Sequence, residues 1–211
     1  MQVNQEGIEL NRLSALVTVL LIAGSLLLLS GDVVQVLQSG GFLWTVLLWL
    51  AFVCFGAGLL LLPVAFSWTD RPLVVAGSAC AFVGCFAGAG MQVLFRALDV
   101  LKGADQAAAV SLLQTHTLLS LSTLAPGILF PVGLLVLSGG LMRSRALPLG
   151  LSLTLALGAV LFPIGHAVGF APALVFGDVI LVVAFFGLFI HRKSIETASP
   201  SAVRLTEKGV G

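Results

Sequence analysis

The sequence is short of charge. Only 9% of its 211 residues are Asp, Glu, Lys or Arg, whereas a soluble domain carries roughly a quarter to keep its surface in water. That shortage excludes a soluble globular fold. Ten basic residues stand against nine acidic ones, a formal charge of +1, so there is no basic field to hold a nucleic acid backbone. Tyrosine is absent and aromatic residues make up 8%, which weakens the case for a quinone or pigment site. The three cysteines, Cys54, Cys80 and Cys85, form no CxxC pair. Each lies in an apolar run and reads as a small packing residue, neither redox centre nor disulfide partner. No HExxH, Gly-rich phosphate loop, GxSxG elbow or kinase signature occurs, so no motif announces a reaction.

What the chain has in quantity is apolar residues, 59% of the total, with a mean hydropathy of +1.15. A bilayer core about 30 Å thick takes about 20 residues at about 1.5 Å each. On that measure the uncharged intervals hold six spans, at 13–31, 42–66, 72–98, 121–142, 147–169 and 171–190. The interval 106–142 is too long for one simple span and reads as a helix that begins outside and crosses from about 121. The reading is therefore an all-α, polytopic transmembrane bundle of six helices over 1–193, with short loops and a disordered polar tail at 194–211. Short loops leave no room for an extramembrane catalytic domain. Any chemistry must use the bundle.

An even number of spans puts both ends on one side. Arg12, Arg71, Arg143, Arg145, Arg192, Lys193, Arg204 and Lys208 fall on that side, against Arg96 and Lys102 on the other. The positive-inside rule then makes both termini cytoplasmic and the location the cytoplasmic membrane. The first span is long and no A-x-A site follows it, so it reads as a retained anchor and not a signal peptide.

Prolines punctuate the bundle. Pro126 and Pro131 kink the fourth span and Pro163 the fifth, while Pro63 lies near the inner end of the second. Each removes a helical hydrogen bond and frees a carbonyl, for which Ser120, Ser122 and Thr123 are near in sequence to the fourth span's prolines. Gly103 reads as a helix stop and Asp105 as the N-cap of the helix carrying Gln114 and His116. In the third span Cys80, Gly84, Gly88, Gln92 and Arg96 recur every four residues, a face that begins small and ends polar. Close helix packing is the expectation for Gly84 and Gly88, and likewise for Gly56, Gly58, Gly139 and Gly140. Internal duplication is faint: Asp70-Arg71-Pro72-Leu73 resembles the turn from Arg145 to Leu149, but polar positions do not correspond across the halves, so a repeat-built transporter gains little support.

The unusual residues gather at the outer side. They are Gln92, Arg96 and Asp99 late in the third span, Gln114 and His116 before the fourth crosses, His166 ending the fifth and Asp178 two turns into the sixth. Ionisable groups at such depth face the bundle interior or water and pair with one another, which makes them candidates for a site. Asp178 is the deepest, about 10 Å below the outer boundary. The ordinary readings stand beside the functional ones: Arg96 and Asp99 can pair on one helix, Asp178 can bond Arg96 or a histidine to fix register, and His116 and His166 can each bond a backbone carbonyl. His191 reads as an interfacial anchor.

Three sharper chemistries fit the same residues. His116 and His166, on different helices at similar depth, have the makings of axial haem ligands. A His, His, Asp set would hold zinc against a lipid carbonyl or phosphate, although no ligand pair sits at i, i+4. Asp178 with a histidine would relay protons or bind substrate in a transporter.

One resemblance can be drawn from residues. Leu94-Phe95-Arg96 closing a helix, His116 opening the next, Gly-Leu-Leu-Val-Leu at 133–137, then Arg145-Ala146-Leu147-Pro148-Leu149-Gly150, look like an uncharacterised group of six-helix bacterial membrane proteins, over about 84–169. The resemblance implies a six-helix bundle in a bacterial cytoplasmic membrane, with Arg96 and His116 as matched polar positions, and no activity. The sequence thus predicts a pocket in the outer leaflet, built from Gln92, Arg96, His116, His166 and Asp178, that binds a small hydrophobic or amphipathic ligand or a partner membrane subunit without catalysis. A homo-oligomer is equally compatible with it. A haem electron carrier, a proton-coupled transporter and a metal-dependent lipid enzyme are the competing readings.

Overall fold

In a bilayer no water satisfies exposed backbone groups, so an apolar chain closes its hydrogen bonds within helices. The computed structural model describes residues 2–38, 41–101, 104–115, 125–168 and 170–198, and over these residues it is helical with no strand. The helices are α1 (Gln2–Gln38), α2 (Phe42–Ala65), α3 (Pro72–Val100), α4 (Ala104–Thr115), α5 (Ala125–Arg143), α6 (Leu149–Val168) and α7 (Ala171–Ala198). Five of them hold stretches long and apolar enough to cross a membrane: Glu9–Leu37, Phe42–Ala65, Pro72–Leu98, Leu149–His166 and Ala171–Arg192. Gly127–Arg143 in α5 is apolar but shorter. This is a polytopic helical membrane protein.

The first helix is longer than the expected span at 13–31, and Asp32, read from the sequence as its boundary, sits inside it with six helical residues beyond. The last helix likewise continues past Lys193 to Ala198. Asp105 lies in the first turn of α4, which starts at Ala104, so its carboxylate acts there on the helix dipole. Of the hydroxyls expected to serve the fourth span's prolines, Ser120, Ser122 and Thr123 lie outside the described residues, as does His116.

The helices form a closed ring in the order α1, α2, α3, α5, α6, α7, with α4 against α3. Every neighbouring pair in the chain-ordered part runs antiparallel. On α3 and α5 the Cα of Gly77 faces Leu137, that of Gly84 faces Phe130, and Gly140 faces Val74. On α6 and α7 Gly158 faces Leu181 and Gly165 faces Leu174. The ring closes where Arg192 of α7 donates from Nη2 to the carbonyl oxygen of Asn11 at 2.9 Å and also to its side-chain oxygen. That contact brings the start of α1 beside the end of α7.

Glycine makes the tightest crossing. A Cβ on Gly84 would stand 2.0 Å from the Phe130 amide nitrogen, and one on Gly77 2.3 Å from that of Leu137, so α3 and α5 touch backbone to backbone. The expectation of close packing holds at Gly84, Gly88, Gly58 and Gly140; at Gly56 a Cβ would make only ordinary contacts, from 3.5 Å, and at Gly139 it would meet nothing within 4 Å. Gly139 is half-buried, with open space over its Cα.

Two turns at the termini end share one construction. Ser67 (φ 54°) ends α2 and Arg145 (φ 50°) ends α5, both in the left-handed region. After them Trp68 N–H reaches Pro63 O at 2.7 Å and Ala146 N–H reaches Leu141 O at 3.1 Å, the pattern that satisfies the last carbonyls of a helix. Arg71 links the two turns through Nη1 to Ser144 Oγ at 3.1 Å. The faint sequence similarity, Asp70 to Leu73 against Arg145 to Leu149, lies after these bonds, where Pro72 and Pro148 stand at the starts of α3 and α6.

Phenylalanine fills the middle of the ring. Phe130 meets Phe55 at 5.5 Å, Phe52 at 5.9 Å and Phe162 at 5.3 Å between ring centroids. Below this plug, toward the termini, leucines close the interior to a void of about 20 Å³. Above it the ring is open.

Candidate functional site

The open end of the ring holds a cavity of about 1250 Å³ with the Phe52, Phe130 and Phe162 rings among its walls. Its size exceeds the range of roughly 300–1,000 Å³ common for small-molecule sites. Two of its wall residues are prolines, Pro131 of α5 and Pro163 of α6. A proline has no N–H, so the carbonyls four residues back, on Gly127 and Ala159, lose their helical donors. Both of those residues also line the cavity. On the side of α5 and α6, Ile128, Val132, Val160 and Ile164 are cavity wall and exposed surface at once. The cavity thus continues into the groove between two proline-containing helices.

Few polar side chains enter this wall. Among its described residues none is Lys, Arg, Asp or Glu; the polar ones are Gln35, Gln92, Gln106, Trp44 and His166. Gln92 is buried, and its Oε1 has no hydrogen-bond partner. The indole Nε1 of Trp44, at the start of α2, is buried and unpartnered as well. A buried polar atom without a partner is costly, of the order of 1–3 kcal/mol; both atoms have no accessible surface and so lie behind the cavity wall, not on it.

Beside the cavity lies a second polar group, and the sequence reading missed its centre. Thr18, Ser25 and Asp32 recur every seven residues on the interior face of α1, each with no exposed surface. Thr18 and Ser25 satisfy themselves on their own helix, donating to Ser14 O at 2.7 Å and Ile22 O at 2.9 Å. Asp32 has no such option, being acceptor-only when ionised. Its carboxyl meets that of Asp178 from α7, also fully buried, and the two interact directly with one another. Among the described residues no N–H or hydroxyl donates to any of the four carboxyl oxygens.

His166 connects the acids to the cavity. Its ring stacks on Phe162 with centroids 4.4 Å apart, and Nδ1 lies 2.9 Å from the Phe162 carbonyl oxygen. A carbonyl only accepts, so Nδ1 carries the hydrogen. The other nitrogen, Nε2, stands 3.7 Å from Asp32 Oδ2. The ordinary reading of His166, an imidazole bonded to a backbone carbonyl, and the functional one are therefore both present in one ring.

The residues expected to share a pocket divide three ways. Gln92 and His166 lie on the cavity wall, and Asp178 sits behind His166 through Asp32. Arg96, half-buried, places its guanidinium 5.5 Å over the Phe42 ring of α2. His116 lies outside the described residues, and so do the side chains of Asp99 and Gln114. Among the described residues no three His, Cys, Asp or Glu side chains are grouped to hold a metal ion. Cys80 donates to the Leu129 carbonyl at 3.5 Å, and Cys85 is fully buried. Asp32 carried a signal in the sequence: apolar residues continue on both sides of it, with no turn residue after it.

No family model matches the chain, and no curated protein or solved structure matches it.

Proposed function

We propose that this chain is a six-span protein of the cytoplasmic membrane, with both termini on the cytoplasmic face, that binds an apolar molecule with a small uncharged polar head in the cavity above the phenylalanine plug. The sixth crossing is α5, which runs antiparallel to α3 alongside it through Gly77, Gly84 and Gly140. Arg12, Arg71, Arg143, Arg145 and Arg192 at the termini end, against Arg96 at the other, support this orientation.

One observation carries the ligand: a large cavity whose described wall is apolar and uncharged, open to the groove between α5 and α6. A hydroxyl or carbonyl head would suit the few uncharged polar residues of that wall, Gln35, Gln92 and Gln106. A phosphate head would find no cation among the described wall residues. The open groove between α5 and α6 supports entry from the bilayer instead of from water. This reading has no catalytic step, because the wall offers no activated nucleophile.

Gly127 supplies the test. It lines the cavity, and a Cβ there would meet nothing within 4 Å, so Gly127→Leu occupies space without disturbing packing. The protein would be purified in mild detergent with nothing added and weighed intact by native mass spectrometry. A stoichiometric apolar adduct that is lost from Gly127→Leu, with the thermal midpoint unchanged, supports the proposal. An adduct-free wild type, or an adduct retained by the variant, overturns it.

A further inference from the structure

The cavity does not use Asp32 and Asp178, and the proposed ligand leaves them unexplained. Two carboxylates stripped of water and set against one another cannot both keep their charge unless a cation or a proton lies between them. Among the described residues, the helices packed on α1 and α7 offer no permanent cation beside the pair. No residue of α2 between Phe42 and Ala65 is charged. On α6 the single titratable group is His166, and on α1 and α7 the remaining charges lie toward the termini: Glu6, Glu9, Arg12, His191, Arg192, Lys193 and Glu196. Arg96 and Asp99 belong to α3, which does not pack on α1 or α7.

The histidine adds an independent constraint. With Nδ1 committed to the Phe162 carbonyl, a neutral His166 would point a bare lone pair at Asp32 Oδ2. Two acceptors facing one another at 3.7 Å, one of them fully buried, repel, and a proton on that edge removes the repulsion. It rides either on Nε2, making an imidazolium, or on Oδ2, making a carboxylic acid. Moving between them breaks one bond to hydrogen and forms the other, with no change in total charge.

We propose that Asp32, Asp178 and His166 form a proton-binding site, loaded from the cavity through His166, the member of the trio that is 36% exposed while both acids are fully buried. Asp178 holds Asp32 in place and shares its proton; His166 passes protons between Asp32 and the cavity. The route rests on the cavity described above, whereas the site itself does not depend on any ligand. A buried acid pair beside a cavity suits a protein whose occupancy is coupled to proton movement.

Infrared difference spectroscopy of the full chain in lipid tests this directly, since only nine side-chain carboxyls contribute. At neutral pH the wild type should show the carbonyl stretch of a protonated, buried carboxylic acid. That band should change in frequency or intensity in Asp32→Asn and again in Asp178→Asn, and it should shift on transfer to D2O. His166→Phe keeps the stacked ring but has no nitrogen, and should slow the deuterium shift while leaving the band itself present. The wild-type band and its shift need no variant, so misfolding of a substituted chain leaves the central observation intact. No protonated band at neutral pH, a band left unaltered in either Asn variant, or its appearance only when sodium is withdrawn would overturn the proton site. An unchanged exchange rate in His166→Phe would overturn the route while leaving the ligand reading of the cavity untouched.

Discussion

Replacing Gly84 by Ala tests the tightest contact in the bundle. The new methyl carbon would lie 2.0 Å from the Phe130 nitrogen, 2.5 Å from its Cα and 2.7 Å from the Leu129 carbonyl carbon. All three are backbone atoms, so no side chain can swing aside. Reaching an ordinary contact of 3.4 Å requires α3 and α5 to part by about 1.4 Å along that line. Neighbouring contacts at Gly77 and Gly133 would open with it, because the helices are stiff. Overpacking commonly costs about 1–3 kcal/mol, and rigid backbone on both sides places this case near the top of that range. For a chain of this size about 3 kcal/mol lowers the thermal midpoint by about 6–12 °C. The assay is thermal unfolding in detergent, followed by circular dichroism. Gly139→Ala is the matched control on α5, where a Cβ meets nothing within 4 Å; it should leave the midpoint level or raise it by the greater helix propensity of Ala. Equal midpoints for the two variants would refute the backbone-to-backbone crossing.

Two further outcomes can be checked in the same preparation. Ser138→Ala removes the buried hydroxyl that donates to the Ser152 carbonyl at 2.5 Å between α5 and α6, and should cost about 1 kcal/mol, a fall of about 2–4 °C. Cys85, with no exposed surface, should resist maleimide in a Cys54→Ser, Cys80→Ser background until the protein is unfolded, as mass spectrometry would show; rapid labelling of the folded protein would contradict its place between α2 and α3.

The span pattern was legible because bilayer thickness converts an uncharged interval into a helix with little ambiguity. Pro72–Leu98 has the bounds expected from sequence, and Phe42–Ala65 differs by one residue. Where the rule failed, it did so by treating charge as a boundary. Asp32 was assigned to the end of a span on that ground, yet Val33, Val34, Val36 and Leu37 follow it in the same helix. Its acid is tolerated because Asp178 and His166 meet it, and their arrival depends on ring closure, which no local pattern encodes. Gln92, His166 and Asp178 could be singled out as polar groups in apolar surroundings. Which faced the cavity and which the acid pair was a matter of helix order. Gly84 and Gly139 show the same limit from the packing side: both are glycines in apolar helices, and only the rotation of each helix in the ring makes one a contact and leaves the other with open space.

Closure of the ring also imposes an order on assembly. Asp32 belongs to α1, while the residues that meet it belong to α6 and α7, far later in the sequence. The α1 carboxyl is therefore made well before its neighbours and meets them only once the hairpin of α6 and α7 stands beside α1.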